Sequence, residues 1–202
     1  MGQTIISISR EYGSAGHEIA AKIAEDMGFK LYDRSMLDAI ANDMNIKVEV
    51  LEKYDEQPRN FMLSRRAGVH SNSMEEILAE LQFDFIRKKA EEGESFVIVG
   101  RCSDVVLKDF KNLITIFVSG DKASKKARIM ELYHLNETEA LAKMARHDKK
   151  RKQYHNRHTD RKWGDSRHYD VCINSSPLGT EVTTKVLENY IKERMSLSEK
   201  EN

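Results

Sequence analysis

The chain alternates short apolar runs with longer segments whose apolar residues recur at helical spacing. Thr4 to Ser9 (TIISIS) is dense in isoleucine and predicts a strand. The next segment puts Ile19, Ile23 and Met27 on one helical face before Gly28 ends it. Phe29 to Tyr32 predicts a second short strand, followed by helical segments over 35–44 and 48–54. Residues 55–73 have mixed polarity and no sustained period, and read as a loop or a bent helix. From Met74 a long amphipathic helix carries Ile77, Leu78, Leu81 and Phe85 on its buried side, and Gly93 stops it. Phe96 to Val99, Leu113 to Val118 and Tyr169 to Ile173 predict three more strands, with helices between them and a last helix from Thr180 to Met195. Alternating strands and helices predict an α/β fold in which a mainly parallel five-stranded sheet is covered on both faces. Such sheets bind ligands beyond the carboxyl ends of their strands, and those ends become the candidate site.

Composition narrows the class. A chain of 202 residues with 40% hydrophobic content supports one sizeable core, so a single domain with small inserted lobes is expected. The formal net charge is zero, which argues against a polycation acting by bulk charge. Cys102 and Cys172 are far apart and lack metal-ligand spacing, and no apolar run is long enough for a signal peptide or a membrane span. The expectation is a reduced cytoplasmic protein.

Three predicted strands end in residues with chemical content. After TIISIS comes Arg10-Glu11-Tyr12-Gly13-Ser14-Ala15-Gly16-His17-Glu18; after KLY come Asp33 and Arg34; after FVIV come Gly100 and Arg101. A strand, a glycine-containing turn and a helix N-terminus aim backbone amides at one point, which suits a phosphate. The same glycines would serve a tight turn with no ligand. Against the strict phosphate loop, G-x-x-x-x-G-K-[ST], only Gly16 fits; Glu11 takes the first glycine, His17 the lysine and Glu18 the hydroxyl position. Backbone amides need no particular side chain, so anion binding survives these changes. Imidazole is shorter than lysine and carries its charge conditionally, which leaves Arg10 as a second source of positive charge. Glu18 either reaches a magnesium ion or complements the helix dipole.

A second constellation is the basic run from Arg146 to Arg167. Asn136-Glu137-Thr138-Glu139 has the polar cap and following acid of a helix start, and the helix buries Leu141 and Met144 before becoming densely basic. Four histidines, 147, 155, 158 and 168, are interleaved, without the paired spacings or thiolates of a zinc site. The run reads either as a solvated helix face or as the place where an anionic ligand collects positive charge. A nucleic-acid surface is a third reading, with Tyr154 and Trp163 available to stack on bases, but zero net charge and the lack of a recognised binding motif count against it.

Taken in order, SREYGSAGHEIA, LYDRSML, VIVGR, DKKRKQYHNRHTDRKWGD and HYDVCINSS resemble the cytidylate kinase-like family of bacteria, distant relatives of authentic cytidylate kinases within the P-loop kinases. The resemblance spans about Thr4 to Ile191. It implies a P-loop kinase-like three-layer α/β/α fold over 1–202, with a helical lobe for a nucleoside monophosphate at 34–73 and a basic lid at 144–168. Gly13, Ser14, Ala15 and Gly16 match the family's glycine loop, in which arginine or histidine is usual at the place of His17. Arg101 matches the arginine of the Gly-Arg pair that holds the acceptor phosphate. Asp148 and Arg151 resemble the lid's aspartate and arginine, and Arg151 would neutralise the phosphoryl group in flight. Asp33 matches the acid after the second strand. Arg34 replaces a serine and Ala39 an arginine of the cytidylate site, and Cys102 stands where an aspartate follows Gly-Arg; these departures bear on the acceptor rather than on the loop.

The expected function is transfer of the ATP γ-phosphate to a nucleoside monophosphate, CMP-like, or another small phosphorylated acceptor, with magnesium as the metal. Arg10, Gly13, Ser14, Ala15, Gly16, His17, Glu18, Arg146 and Arg161 are the expected donor-binding residues, and Asp33, Arg34 and Arg101 address the acceptor. Arg151, Arg157 and His17 are expected to act on the transferring group, and Ser14 and Glu18 to reach the metal. No membrane or nucleic-acid partner is expected. The alternative is a nucleotide-binding sensor or scaffold with a degenerate loop and no turnover.

Overall fold

A computed structural model describes residues 2–33, 36, 39–40 and 74–200. Its elements in chain order are β1 (Ile5–Arg10), α1 (Gly16–Met27), β2 (Lys30–Tyr32), α2 (Met74–Glu91), β3 (Phe96–Val99), α3 (Ser103–Val106), β4 (Leu113–Ser119), α4 (Lys122–Tyr133), α5 (Glu137–His158), β5 (Val171–Asn174) and α6 (Gly179–Lys200). The five strands form one sheet in the order β2-β3-β1-β4-β5, every pairing parallel. Each predicted strand is present, displaced by at most two residues at either end. The readings over 34–73 lie outside the described residues except at Met36, Ala39 and Ile40, which are helical.

The inner strands are buried at nearly every position because both faces of the sheet are covered. Ile5, Phe96, Ile98 and Leu113 face one layer, where they pack with Leu78, Phe85 and Ile86 of α2 and with Met36, Ile40 and Leu107. Ile6, Ile8, Val97, Val99, Ile114 and Ile116 face the other, against Ile19, Ile23 and Ala24 of α1 and Leu187 and Ile191 of α6. Successive residues of β1 thus enter opposite layers, which is the period-two geometry of a strand used on both sides. The edge strand β5 alternates between half-buried and exposed positions, as expected where one side lacks a neighbour.

The connection from β1 skips over β3 to reach β2, and β4 then forms on the opposite side of β1. The carboxyl end of β1 is therefore the point where the winding reverses and a crevice opens. No helix among the described residues is long and apolar enough to cross a membrane.

Candidate functional site

The loop after β1 is built by close packing. Gly13 is left-handed (φ 85°), and a Cβ there would stand 3.1 Å from the Lys125 carbonyl oxygen and 3.2 Å from Ile129. A Cβ on Gly16 would come within 2.5 Å of the Arg10 Cβ, so only glycine lets α1 start this close to β1. Ala15 at the N-cap is also left-handed (φ 59°) and no side chain caps the helix. The first amides of α1 therefore have neither a helical acceptor nor a side-chain cap, which is the arrangement that accepts an anion. Ser14 Oγ donates to the Glu11 carbonyl (2.8 Å), and Ser175 Oγ donates to the Ser14 carbonyl (2.7 Å), tying the loop to the segment after β5.

Charged side chains brace this loop. Glu11, in the place of the first glycine, accepts hydrogen bonds from Lys125 Nζ (2.8 Å) and the Gly120 amide (3.1 Å), joining the end of β1 to the β4–α4 connection. His17 Nε2 donates to Asp33 Oδ2 at 2.5 Å, bridging the start of α1 to the end of β2. Glu18 pairs with Arg128 of α4. Among the described residues no group of three or more His, Cys, Asp or Glu is placed to hold a metal ion. In this structure the Ser14 hydroxyl is turned to the Glu11 carbonyl and the Glu18 carboxylate to Arg128.

Beside the loop, Gly100, Arg101 and Cys102 form three consecutive left-handed residues (φ 80°, 61° and 54°). For the two non-glycine residues that conformation costs about 1–2 kcal/mol each. The Gly100 amide donates to the Ile8 carbonyl (3.0 Å), which sets this turn against β1. Arg10 Nη1 lies 2.7 Å from where a Gly100 Cβ would be, so the arginine of the first strand lies across the turn that presents Arg101.

Helix α5 spans both. Its start is a full capping box: the Asn136 side chain accepts from the Glu139 amide and the Glu139 carboxylate accepts from the Asn136 amide, each at 3.0 Å. Ala140 and Met144 are buried against α4, with Leu141 only half-buried. Self-repulsion of its basic side chains favours an open segment, yet α5 is docked, because acids and aromatic rings on the neighbouring elements receive it. Asp148 Oδ1 accepts from the Tyr12 amide (2.7 Å). Arg151 Nη1 donates to the Arg10 carbonyl (3.0 Å), its guanidinium 5.4 Å from the Tyr12 ring centre. His147 stacks on Tyr12 with ring centres 4.2 Å apart and planes 6° from parallel. Burial holds the Asp148 carboxyl above its ordinary range, against the Tyr12 amide and Lys125. Burial, followed by a hydrogen bond with Tyr133, raises the Tyr12 phenol.

The structure thus brings Arg10, Gly13, Ser14, Ala15, Gly16, His17, Asp33 and Arg151 around one loop, with the Arg101 turn alongside. Arg146 is exposed and close enough to Tyr12 to act on it electrostatically. Arg157 and Arg161 sit further along, on the α2 and α3 side: Arg157 pairs with Glu76 (2.6 Å), and Arg161 reaches the Asp104 carbonyl (3.4 Å). Arg34 lies outside the described residues. Sequence reasoning passed over Lys125, Arg128, Asp104 and the role of His155. The lysine and arginine look like solvent-facing residues of an ordinary amphipathic helix, and no local spacing betrays partners more than a hundred residues away.

The comparisons with known proteins agree with this fold. The model of the cytidylate kinase-like family matches residues 5–177. An uncharacterized protein from Eubacterium ventriosum shares 40% identity with a TM-score of 0.74, over 94% of this chain and 99% of that one. The shikimate kinase of Bacteroides thetaiotaomicron is 14% identical with a TM-score of 0.53, over 94% of this chain and 98% of its own. A gluconokinase from Sinorhizobium meliloti is 13% identical with the same TM-score, over 99% and 98%. No curated protein matches. The last two likenesses establish the P-loop kinase-like α/β/α fold around a parallel five-stranded sheet, and the match over most of the chain establishes the closer relationship. The chain belongs to the cytidylate kinase-like family.

Proposed function

We propose that the chain is an ATP-dependent phosphotransferase that moves the terminal phosphoryl group to a nucleoside monophosphate or another small phosphorylated acceptor. The observation that carries this reading is the position of Arg151. Its guanidinium bonds the Arg10 carbonyl at the root of the loop and lies over Tyr12, beside the uncapped start of α1. Phosphoryl transfer asks a protein mainly to align two oxygens and to offset spreading negative charge. A planar guanidinium suits that task because it stays charged and grips phosphate through two parallel hydrogen bonds.

In this reading the amides of the loop from Gly13 to Gly16, with Arg10, His17 and Arg146, hold the donor phosphates. Asp33 and Arg101 address the acceptor from the ends of β2 and β3, and Arg34 would join them. Arg151 meets the transferring group, with Arg157 and Arg161 completing the basic segment over 144–168. Ser14 and Glu18 are the residues that would hold a magnesium ion, which would supply charge to offset that of the phosphates. The test is transfer from ATP across a panel of nucleoside monophosphates and small sugar phosphates, read as acceptor-dependent ADP and phosphorylated product. Product from at least one acceptor supports the reading, and none from any acceptor with ATP binding intact contradicts it.

A second reading, a nucleotide-binding sensor without turnover, draws on one observation. The side chains at the lysine and hydroxyl positions of the loop, His17 and Glu18, are engaged by Asp33 and Arg128. That reading predicts ATP binding with no product from the same panel.

A further inference from the structure

Helix α5 makes a contact that the donor loop does not explain. His155 is buried in a basic stretch whose other residues are half-buried or exposed, and its Nε2–H donates to both oxygens of the Asp104 carboxylate (3.0 and 3.2 Å). Only 5% of the histidine side chain and 1% of the aspartate side chain reach solvent. The other ring nitrogen lies 3.2 Å from Thr159 Oγ1, which itself donates to the His155 carbonyl (2.8 Å) and so fixes the ring at the end of the helix. A charged aspartate placed this deep in so short a helix as α3 is unfavourable unless its partner is held in place.

Asp104 stands two residues beyond the left-handed pair Arg101 and Cys102. Such backbone persists only where its surroundings over-determine it. Here Ser103 Oγ is 2.6 Å from Ser7 Oγ of β1 and donates to the Gly100 carbonyl (2.8 Å). The Val105 and Val106 amides both donate to the Cys102 carbonyl (2.9 Å). The Cys102 side chain is buried with Ala79 and Phe83 of α2, beside Tyr154 of α5. Two of these restraints, His155 and Tyr154, come from the helix that also carries Asp148 and Arg151 onto the donor loop.

We infer that the His155–Asp104 pair is a positioning clasp: it holds the strained turn that presents Arg101, and it couples that turn through α5 to the phosphate loop. His155 touches no reacting group in this account and acts through Arg101. The coupling rests on the proposed assignment of Arg101 to the acceptor, whereas the clasp itself does not.

Two measurements separate these claims. The first follows labelling of the Cys102 thiol by a disulfide reagent in a Cys172→Ser background. Cys102 belongs to the turn and its side chain is buried, so its labelling rate reports turn opening without any ligand. His155→Phe, which keeps a ring but loses the hydrogen bond, should label at least tenfold faster than the parent, and Asp104→Asn, which keeps an acceptor, should fall between. Equal rates in the parent and both variants overturn the clasp. The second measures calorimetric affinity for CMP with and without magnesium and a non-hydrolysable ATP analogue. In the parent the analogue should tighten CMP at least fivefold; in His155→Phe that enhancement should vanish while affinity for the analogue alone stays within twofold. Enhancement that persists in the variant, or a uniform loss of both affinities, overturns the coupling. Fast labelling in His155→Phe with no CMP binding by the parent upholds the clasp and overturns both the coupling and the CMP-like acceptor.

Discussion

His17, at the lysine position of the loop, and Asp33, at the end of β2, are joined by a 2.5 Å hydrogen bond that links the start of α1 to the end of β2. The pair has no net charge when both members are ionised, so the two side chains should affect a bound triphosphate in opposite directions. His17→Ala removes a charge-assisted donor, a loss of about 1.5–3 kcal/mol or more than tenfold in ATP affinity. Asp33→Asn removes a negative charge from the rim and should tighten ATP several-fold while weakening the acceptor. Titration calorimetry on the two variants decides it; weakening of ATP in both would mean that the pair works as one unit.

In the proposed reading Arg101 addresses the acceptor. Arg101→Ala should weaken monophosphate binding more than tenfold, the loss of one charge-assisted contact worth about 1.5–3 kcal/mol, with ATP affinity nearly unchanged. Equal losses for both ligands would place Arg101 between them.

The loop also makes a steric prediction. Gly16→Ala would set a methyl group 2.5 Å from Arg10 Cβ and 3.2 Å from Val118 Cβ, atoms fixed by the central strands. Overpacking of this kind costs about 1–3 kcal/mol, and the shift it forces falls on the amides that hold donor phosphates in the proposed reading. Denaturant midpoints should fall and ATP binding should be lost with them. An unchanged midpoint with normal ATP binding would show that the loop yields more easily than its packing implies.

Away from the site, Glu188 of α6 is buried beside Asp26 of α1. Its carboxyl is raised above the ordinary range by burial first and then by the hydrogen bond with Asp26, with Lys192 and Lys22 opposing. A carboxyl raised in the folded state stabilises fully below its unfolded pKa, and that contribution is lost as pH rises through the folded value. Glu188→Gln keeps the hydrogen-bond donor without the charge, so the variant should unfold at higher urea than the parent at pH 7. The gap should close as pH falls into the carboxylate range. A gap that widens on acidification would reverse the assignment.

The strands were legible because fully covered parallel strands are written as nearly unbroken apolar runs, as in FVIV and LITIF. Their order was not, since nothing local says that β3 inserts between β1 and β2. The tight turn from β1 into α1 was legible from Gly13 and Gly16 following an apolar strand. The docking of α5 was hidden for a physical reason. Asp148, His155 and Arg151 look like members of a solvated charged run, and their partners Tyr12, Asp104 and Arg10 are 136, 51 and 141 residues away in the chain. Burial of a polar residue depends on such distant partners, which periodicity does not report.

The central claim is that Arg151 meets charge that develops only during transfer. The most direct measurement compares Arg151→Ala and Arg151→Lys with the parent for turnover and for ATP affinity, using whichever acceptor the panel identifies. Loss of one such donor costs about 10²–10³ in turnover. Arg151→Ala should show that drop with ATP affinity changed less than tenfold and the unfolding midpoint preserved, and Arg151→Lys should recover part of the rate. Equal losses of turnover and ATP affinity, or turnover that survives the alanine substitution, would contradict the account.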